Sequence, residues 1–337
     1  TTTKYSLDEI IKKQFEKCRQ QGILRNDPLE SNVLRKRLPG TLGLLAEYEP
    51  SLFGRKRPAV VSDVVDMNEP FSPNKFNFNK VDQEEVMVCI QDAQADVHPI
   101  LVNVSPLMYG HGLLVPWVKQ ELGQQLVPRA VALAIQLLNA ATDCDFCIGF
   151  NSLGAFSSVN HLHLHVLYPG ELDHEIRLGG QAPLMNGCNE FPVANAPIQR
   201  KVTECYVGCQ VDLLEWMIPC FSIQQHPEHD SALTKLQAAV TRLVRFLHSQ
   251  NIPHNVLFIN DSSYRIRVVV FPRKPQHHFD SKQHGFNAAL GEISGMLIAK
   301  THQHFEAFDE EHIRKVMTTH VACEIWTLTQ ILAELTE

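Results

Sequence analysis

The stretch "NHLHLHVLY", residues 160–168, sets His161, His163 and His165 in alternation with Leu162, Leu164 and Val166. Alternation at period two marks a β-strand with one buried face, because successive side chains point to opposite sides of a sheet. Read this way, the aliphatic residues face a core and the three imidazoles form a row on the other side. Residues two apart on a strand are separated by about 7 Å, so the row does not converge on a metal ion unless other ligands join it. Taken alone, the same row also fits a solvated or hydrogen-bonded strand face.

The neighbouring text narrows the reading. "FCIGFNS" (146–152) is a second strand pattern, and "GFNSLGAFSSVN" (149–160) is a loop of small residues, amides and hydroxyls. Backbone N–H groups in such a loop suit the oxygens of a phosphate. Further upstream, "EVMVCIQ", "PILVNVSPL" and "YGHGLLVP" read as a meander of strands between residues 85 and 116, and "VPRAVALAIQLLNAA" (127–141) as a helix with Pro128 in its first turn. Strands with one crossing helix make an α+β module.

A second module follows. Residues 169 to about 200 are rich in Gly, Pro and Asn and read as loop and linker. After them come an amphipathic helix, "DSALTKLQAAVTRLVRFLHSQ", capped by Asp230 or Ser231, the strands "HNVLFIN" and "YRIRVVVFPRKP", and a helical tail over 310–335. At the start of the chain, "SLDEIIKKQFEKCRQQGIL" predicts a helix capped by Ser6, and residues 38–80 predict an extended arm. The order of elements differs between the two modules, so internal duplication is weak in the sequence itself.

Bulk properties agree with an ordinary globular protein of two domains or one duplicated architecture: 337 residues, 44% hydrophobic and 20% charged. A formal net charge of -7 argues against a nucleic-acid binder. No apolar run has the length of a membrane span and no signal core is present, which predicts a cytoplasmic protein without a membrane partner. Nine cysteines, most in apolar stretches, predict buried thiols in place of a disulfide framework. The pair Cys144 and Cys147 in "CDFC" lacks a clear second half of a zinc site, so no metal is assigned.

In combination, "FSPNKFNFNK" (71–80), "NVSPLMYGHGLLVP" (103–116), "GFNSLGAFSSVNHLHLH" (149–165), "PHNVLFI" (253–259) and "FNAALGEISG" (286–295) resemble the GDP-D-glucose and GDP-L-galactose phosphorylase family of the histidine-triad (HIT-like) superfamily. The resemblance implies an α+β HIT-like fold with two related halves, as in galactose-1-phosphate uridylyltransferase-type enzymes, built from antiparallel sheets with flanking helices. It implies a catalytic half at 1–195 that carries the arm, and a related half at 196–337. It also implies phosphorolysis of a GDP-hexose such as GDP-D-glucose by inorganic phosphate, giving GDP and D-glucose 1-phosphate without a cofactor. His163 is then the nucleophile and carries a guanylyl group between two half-reactions, a role open to a neutral imidazole because it needs no prior deprotonation. His161 would orient the nucleophile, and His165 would donate to the phosphate or the leaving group.

The third triad position is Gln in the uridylyltransferase branch and in plant-like members, and His165 here. That difference keeps a HIT-like nucleotide-sugar or dinucleotide hydrolase as the alternative. Ser158 and Asn151 are candidate phosphate contacts, with turn chemistry as their other reading. The resemblance implies Lys80 as a phosphate partner and Asn77 or Asn79 as a reader of base or sugar, against an edge strand with a solvated lysine. Arg273 and Lys274 are candidate partners of the polyanion, against plain surface charge. His111 is read as structural, Glu292 as undecided, and His277, His278 and His284 as solvated loop. Assembly into a homo-oligomer is compatible with the sequence.

Overall fold

Helix α1 (Leu7–Gln20) opens the chain and is closed by a reciprocal cap: the Ser6 hydroxyl accepts the Glu9 N–H at 3.3 Å, and the Glu9 carboxylate accepts the Ser6 N–H at 2.8 Å. The computed structural model describes residues 5–30, 32–52, 66–92, 94–170, 191–225, 232–261 and 265–336. After α1 come β1 (Leu34–Arg37), β2 (Leu45–Tyr48), β3 (Val86–Gln91), β4 (Val97–Val102) and β5 (Gly112–Leu114), then helix α2 (Pro128–Ala140), β6 (Cys147–Asn151) and β7 (Leu164–Leu167). The second half runs β8 (Ile198–Tyr206), β9 (Cys209–Leu214), β10 (Phe221–Gln225), α3 (Ala232–Ser249), β11 (His254–Asn260) and β12 (Ile266–Pro272). Short helix α4 (Leu290–Ile293), β13 (Met296–Ile298), and helices α5 (His302–Ala307), α6 (Glu310–His320) and α7 (Ile325–Thr336) end the chain.

Ten strands form one sheet in the order β3-β4-β5-β7-β6-β11-β12-β10-β9-β8. Each half contributes three strands, a helix and two strands, and the two sets run outward in mirrored order from the antiparallel β6–β11 pair. The chain is therefore duplicated in structure. Strands β8, β9 and β10 stand between the linker and the helix of the second half, where the sequence predicts no strand. Strand β8 is an edge with three register irregularities, so its alternation is broken and its signal weak. The helix caps expected at Asp230 or Ser231 fall outside the described residues.

One face of the sheet is covered by α1, α2, α3 and α7, which pack on Ile148, Phe150, Leu164, Val166, Val256, Phe258 and Val268. The opposite face is covered in the second half by a three-stranded sheet, β1-β2-β13, and by α4 to α6. Residues 34–48 are thus more than an arm. Leu44, Leu45 and Ala46 are buried, and β2 runs parallel to β13 with Leu45 opposite Met296. Over the first half, the open face is covered by residues around Phe76, Phe78 and Val81. The histidine row lies on this second face, between the two covers.

Candidate active site

Leu162, Leu164 and Val166 are fully buried on the helix side, which puts the histidines on the opposite face as the alternation requires. The strand is shorter than expected. Ladder pairing begins at Leu164, so only His165 belongs to β7, while His161, at a bend, and His163 lie in the irregular segment before it. His161 and His163 are buried, at 0% and 5% exposure, and His165 is partly open.

The two buried rings carry their protons on different nitrogens. Nδ1 of His161 accepts the N–H of Phe78 at 3.1 Å, so the neutral ring holds its proton on Nε2. The ring packs edge-on against Phe71 and tilted against Phe78, with centroids 5.0 and 5.7 Å away. Nδ1 of His163 instead donates to the His161 carbonyl at 2.8 Å, and its Nε2 keeps the lone pair. Burial pushes both imidazoles down to about 4; the Val118 carbonyl opposes the shift at His161, and the His161 carbonyl opposes it at His163. The backbone of His163 is held by the side chain of Gln124, with Oε1 accepting its N–H at 2.9 Å and Nε2 donating to its carbonyl at 3.1 Å.

His165 stands at the centre of a chain of polar contacts. Its Nδ1 is 3.0 Å from Nε2 of His111, and its Nε2 is 3.2 Å from the Asn151 amide nitrogen. His111 accepts the Leu107 N–H at Nδ1 (3.0 Å), and the Asn103 amide closes on its other nitrogen at 3.1 Å. Asn151, the last residue of β6, accepts from the Asn255 amide at 2.6 Å, and Asn255 also donates to the Ala155 carbonyl at 2.9 Å. His111, read as structural because the resemblance makes its segment the floor of the pocket, touches the histidine row directly. Asn255 and Gln124 were not singled out from the sequence.

The loop after Asn151 is clamped from the second half. Gly154 and Phe156 have left-handed backbone, with φ of 73° and 69°. The Phe156 N–H donates to Gln276 Oε1 at 2.6 Å, and the Gln276 N–H donates to the Gly154 carbonyl at 2.7 Å. Arg273 is 2% exposed; its guanidinium sits 5.2 Å above the Phe156 ring and donates to the Ala288 and Lys274 carbonyls. Burial pushes it down to about 9, with Glu292 opposing the shift, and Nη2 is buried without a hydrogen-bond partner among the described residues. Lys274 points elsewhere: its ammonium pairs with Glu324 at 2.9 Å and the Thr319 carbonyl at 3.1 Å.

Other residues singled out from the sequence are placed as follows. Ser158 is exposed on the loop. The Lys80 ammonium is bonded to the carbonyls of Pro73 and Lys75 at 2.6 and 2.7 Å. Asn77 is buried and accepts the Asn79 N–H at 3.2 Å, while the Asn79 amide reaches Glu121 at 3.3 Å. Phe78, between them, brings this segment to the site, its ring 5.0 Å from that of His163. Cys144 is disulfide-bonded, where the sequence predicts buried thiols, and Cys147 is a buried thiol pushed well up by burial. His277 and His278 stack on each other, and His284 faces His320 at 4.9 Å. No helix among the described residues is long and apolar enough to cross a membrane.

Two family models match the chain: "GDPGP1-like, N-terminal domain" over residues 6–167, and "GDPGP1-like, C-terminal domain" over 192–324. GDP-D-glucose phosphorylase 1 of Danio rerio is 28% identical over 93% of this chain and 86% of its own length. The Macaca fascicularis protein of the same name is 31% identical over 81% and 69%, and GDP-L-galactose phosphorylase 1 of Arabidopsis thaliana 27% identical over 92% and 69%. Among solved structures, yeast Ap4A phosphorylase Apa2 in complex with Ap4A has a similar fold, with a TM-score of 0.59 at 16% identity over 95% of this chain and 99% of that one. By these matches the chain belongs to the GDP-D-glucose phosphorylase 1-like family of nucleotidyltransferase-type enzymes.

Proposed function

We propose that the protein catalyses phosphorolysis of a GDP-hexose, with GDP-D-glucose as substrate and His163 as the nucleophile. The observation that carries this reading is the bond from His163 Nδ1–H to the His161 carbonyl, which leaves the lone pair on Nε2 of a ring kept neutral by burial. Nε2 attacks the α-phosphorus, the bond to the sugar phosphate breaks, and hexose 1-phosphate leaves. Inorganic phosphate then attacks the guanylyl-His163 intermediate, the P–N bond breaks, and GDP is released. His161 orients the nucleophile through its carbonyl.

His165 and Asn151 are read as the donors to the phosphate. The Leu107 N–H is a backbone donor and makes Nδ1 of His111 an acceptor; Nε2 of that ring meets both the Asn103 amide and Nδ1 of His165, and in this reading it holds the proton and turns it toward His165. In this reading His165 carries its own proton on Nε2. At the other end, the Ala155 carbonyl fixes the Asn255 amide as donor, which turns the Asn151 NH2 toward the same nitrogen. An anionic oxygen beside these two converging donors accepts from both. Ser158, at the loop surface, is a further phosphate contact, and Arg273 supports the loop from below with its cation. Lys80, Asn77 and Asn79 act in this reading by shaping the segment that presents Phe78. Residues 1–195 form the catalytic half and 196–337 its partner, in a cytoplasmic protein.

The test is incubation of the protein with GDP-D-glucose, with and without inorganic phosphate. Phosphate-dependent release of GDP and D-glucose 1-phosphate, with a guanylyl adduct on quenched protein, is expected. Equal turnover without phosphate, yielding GMP, would instead assign a hydrolase.

A further inference from the structure

Gln124 stands in the turn "ELGQQLVP" (121–128) ahead of α2, far from the histidine row in sequence, yet it is only 2% exposed. Three of the four hydrogen-bonding positions of its amide are used. Oε1 accepts the His163 N–H at 2.9 Å, and Nε2 donates to the carbonyls of His163 at 3.1 Å and Asn151 at 2.9 Å. In a continued sheet these backbone groups would pair with each other. The β6–β7 register runs from Cys147 opposite Leu167 to Gly149 opposite His165, so Asn151 would come opposite His163. The Gln124 amide stands between them and opens the ladder where the reactive ring sits.

A primary amide offers a carbonyl and N–H donors in one plane, as a peptide does, so it satisfies the parted backbone without a further strand. The amide is itself held. The Gln124 N–H donates to Asn160 Oδ1 at 2.8 Å, and the Asn160 amide donates to the carbonyls of Glu69 and Pro70 at 2.9 and 3.0 Å. Next to it, the Leu162 N–H donates to the Leu122 carbonyl at 2.8 Å.

We infer that Gln124 is a positioning residue for the nucleophile: its amide takes the place of strand pairing at His163, fixing the backbone and hence the ring direction while leaving the sheet parted for the substrate's phosphorus. This rests on His163 being the nucleophile. Misplacing a reacting group by about 1 Å costs roughly 100-fold in rate, and that sets the size of the expected effect.

Three proteins decide the matter: wild type, Gln124→Ala and Gln124→Glu. The alanine variant is expected to lose about 100-fold in kcat with KM changed less than about threefold. In the glutamate variant one oxygen still accepts from His163, but the other faces two carbonyls until it is protonated and can donate. Its kcat is therefore expected to rise about tenfold as pH falls through the titration of that acid, a limb absent from wild type. Hydrogen exchange gives a readout independent of chemistry: the His163 amide should exchange at least about tenfold faster in Gln124→Ala, with the Leu162 amide still protected. Parallel pH profiles for wild type and Gln124→Glu, or unchanged protection at His163, would overturn the proposal. Failure of wild type to form a guanylyl adduct would overturn the nucleophile assignment, and the exchange result would still judge the amide. Should Gln124→Ala not fold, Gln124→Glu compared at acid and neutral pH carries the same test.

Discussion

Nδ1 of His163 lies 2.8 Å from the carbonyl oxygen of His161, two residues earlier in the segment that leads into β7. One backbone oxygen thereby selects the tautomer of the next histidine in the row. Replacing His163 by alanine is expected to abolish the guanylyl adduct and to lower turnover by at least about 1000-fold, with the fold retained. Intact-protein mass spectrometry of quenched reactions and circular dichroism check both parts. An adduct that persists in the variant would move the nucleophile elsewhere.

The same burial that keeps the ring neutral should make stability depend on pH. His161, His163 and His254 are each pushed by burial from 6.5 down to about 4. The unfolded chain takes up protons at these sites below pH 6.5 while the folded chain does not, so their contribution is complete above 6.5 and is lost as pH falls toward 4. Each site contributes at most about 3 kcal/mol. Urea titrations across this window should show stability falling with acidity, and His254→Gln should flatten the fall. A profile unchanged in that variant would remove His254 from the set.

His111 sits between the Leu107 N–H and His165. His111→Phe fills similar space but cannot set the proton on His165, and kcat is expected to fall by about 100-fold. Steady-state kinetics decide it, with thermal denaturation as the control for folding. A decrease of less than threefold would return His111 to a purely structural part.

The two cations read from "FPRKP" should separate. Arg273 is buried above Phe156, whereas Lys274 pairs with Glu324 nearer the surface. Arg273→Met is expected to lower kcat/KM by at least about tenfold through the loop it supports, and Lys274→Ala by less than about threefold. Equal losses in the two variants would restore Lys274 as a substrate contact.

Gly149 lies opposite His165 on the neighbouring strand, and a Cβ there would collide with Cδ2 of Leu290 in α4. Because Leu290 is buried, Gly149→Ala should cost about 1–3 kcal/mol of stability by overpacking. Chemical denaturation measures this directly, and an unchanged midpoint would show that α4 yields without strain.

What the sequence displayed was local. Period two placed the histidines on one face, Ser6 marked the start of α1, and Pro128 marked that of α2. The site's supporting contacts span long separations: Gln124 to His163 is 39 residues, His111 to His165 is 54, and Asn255 to Asn151 is 104. No local periodicity encodes such meetings. The duplication was hidden for a related reason, since what repeats is the order of strands around β6 and β11, while β12, the strand in the place of β7, carries no histidine.

The central pairing of β6 with β11 has a consequence for the chain as a material object. Parting the halves there would bare two cut edges of four residues each, Ile148 to Asn151 and Asn255 to Phe258, all buried, with main-chain groups ready to capture any passing strand. Neither half can be shed without producing an adhesive fragment, so the two copies are obliged to persist together even though one of them holds all three histidines of the row.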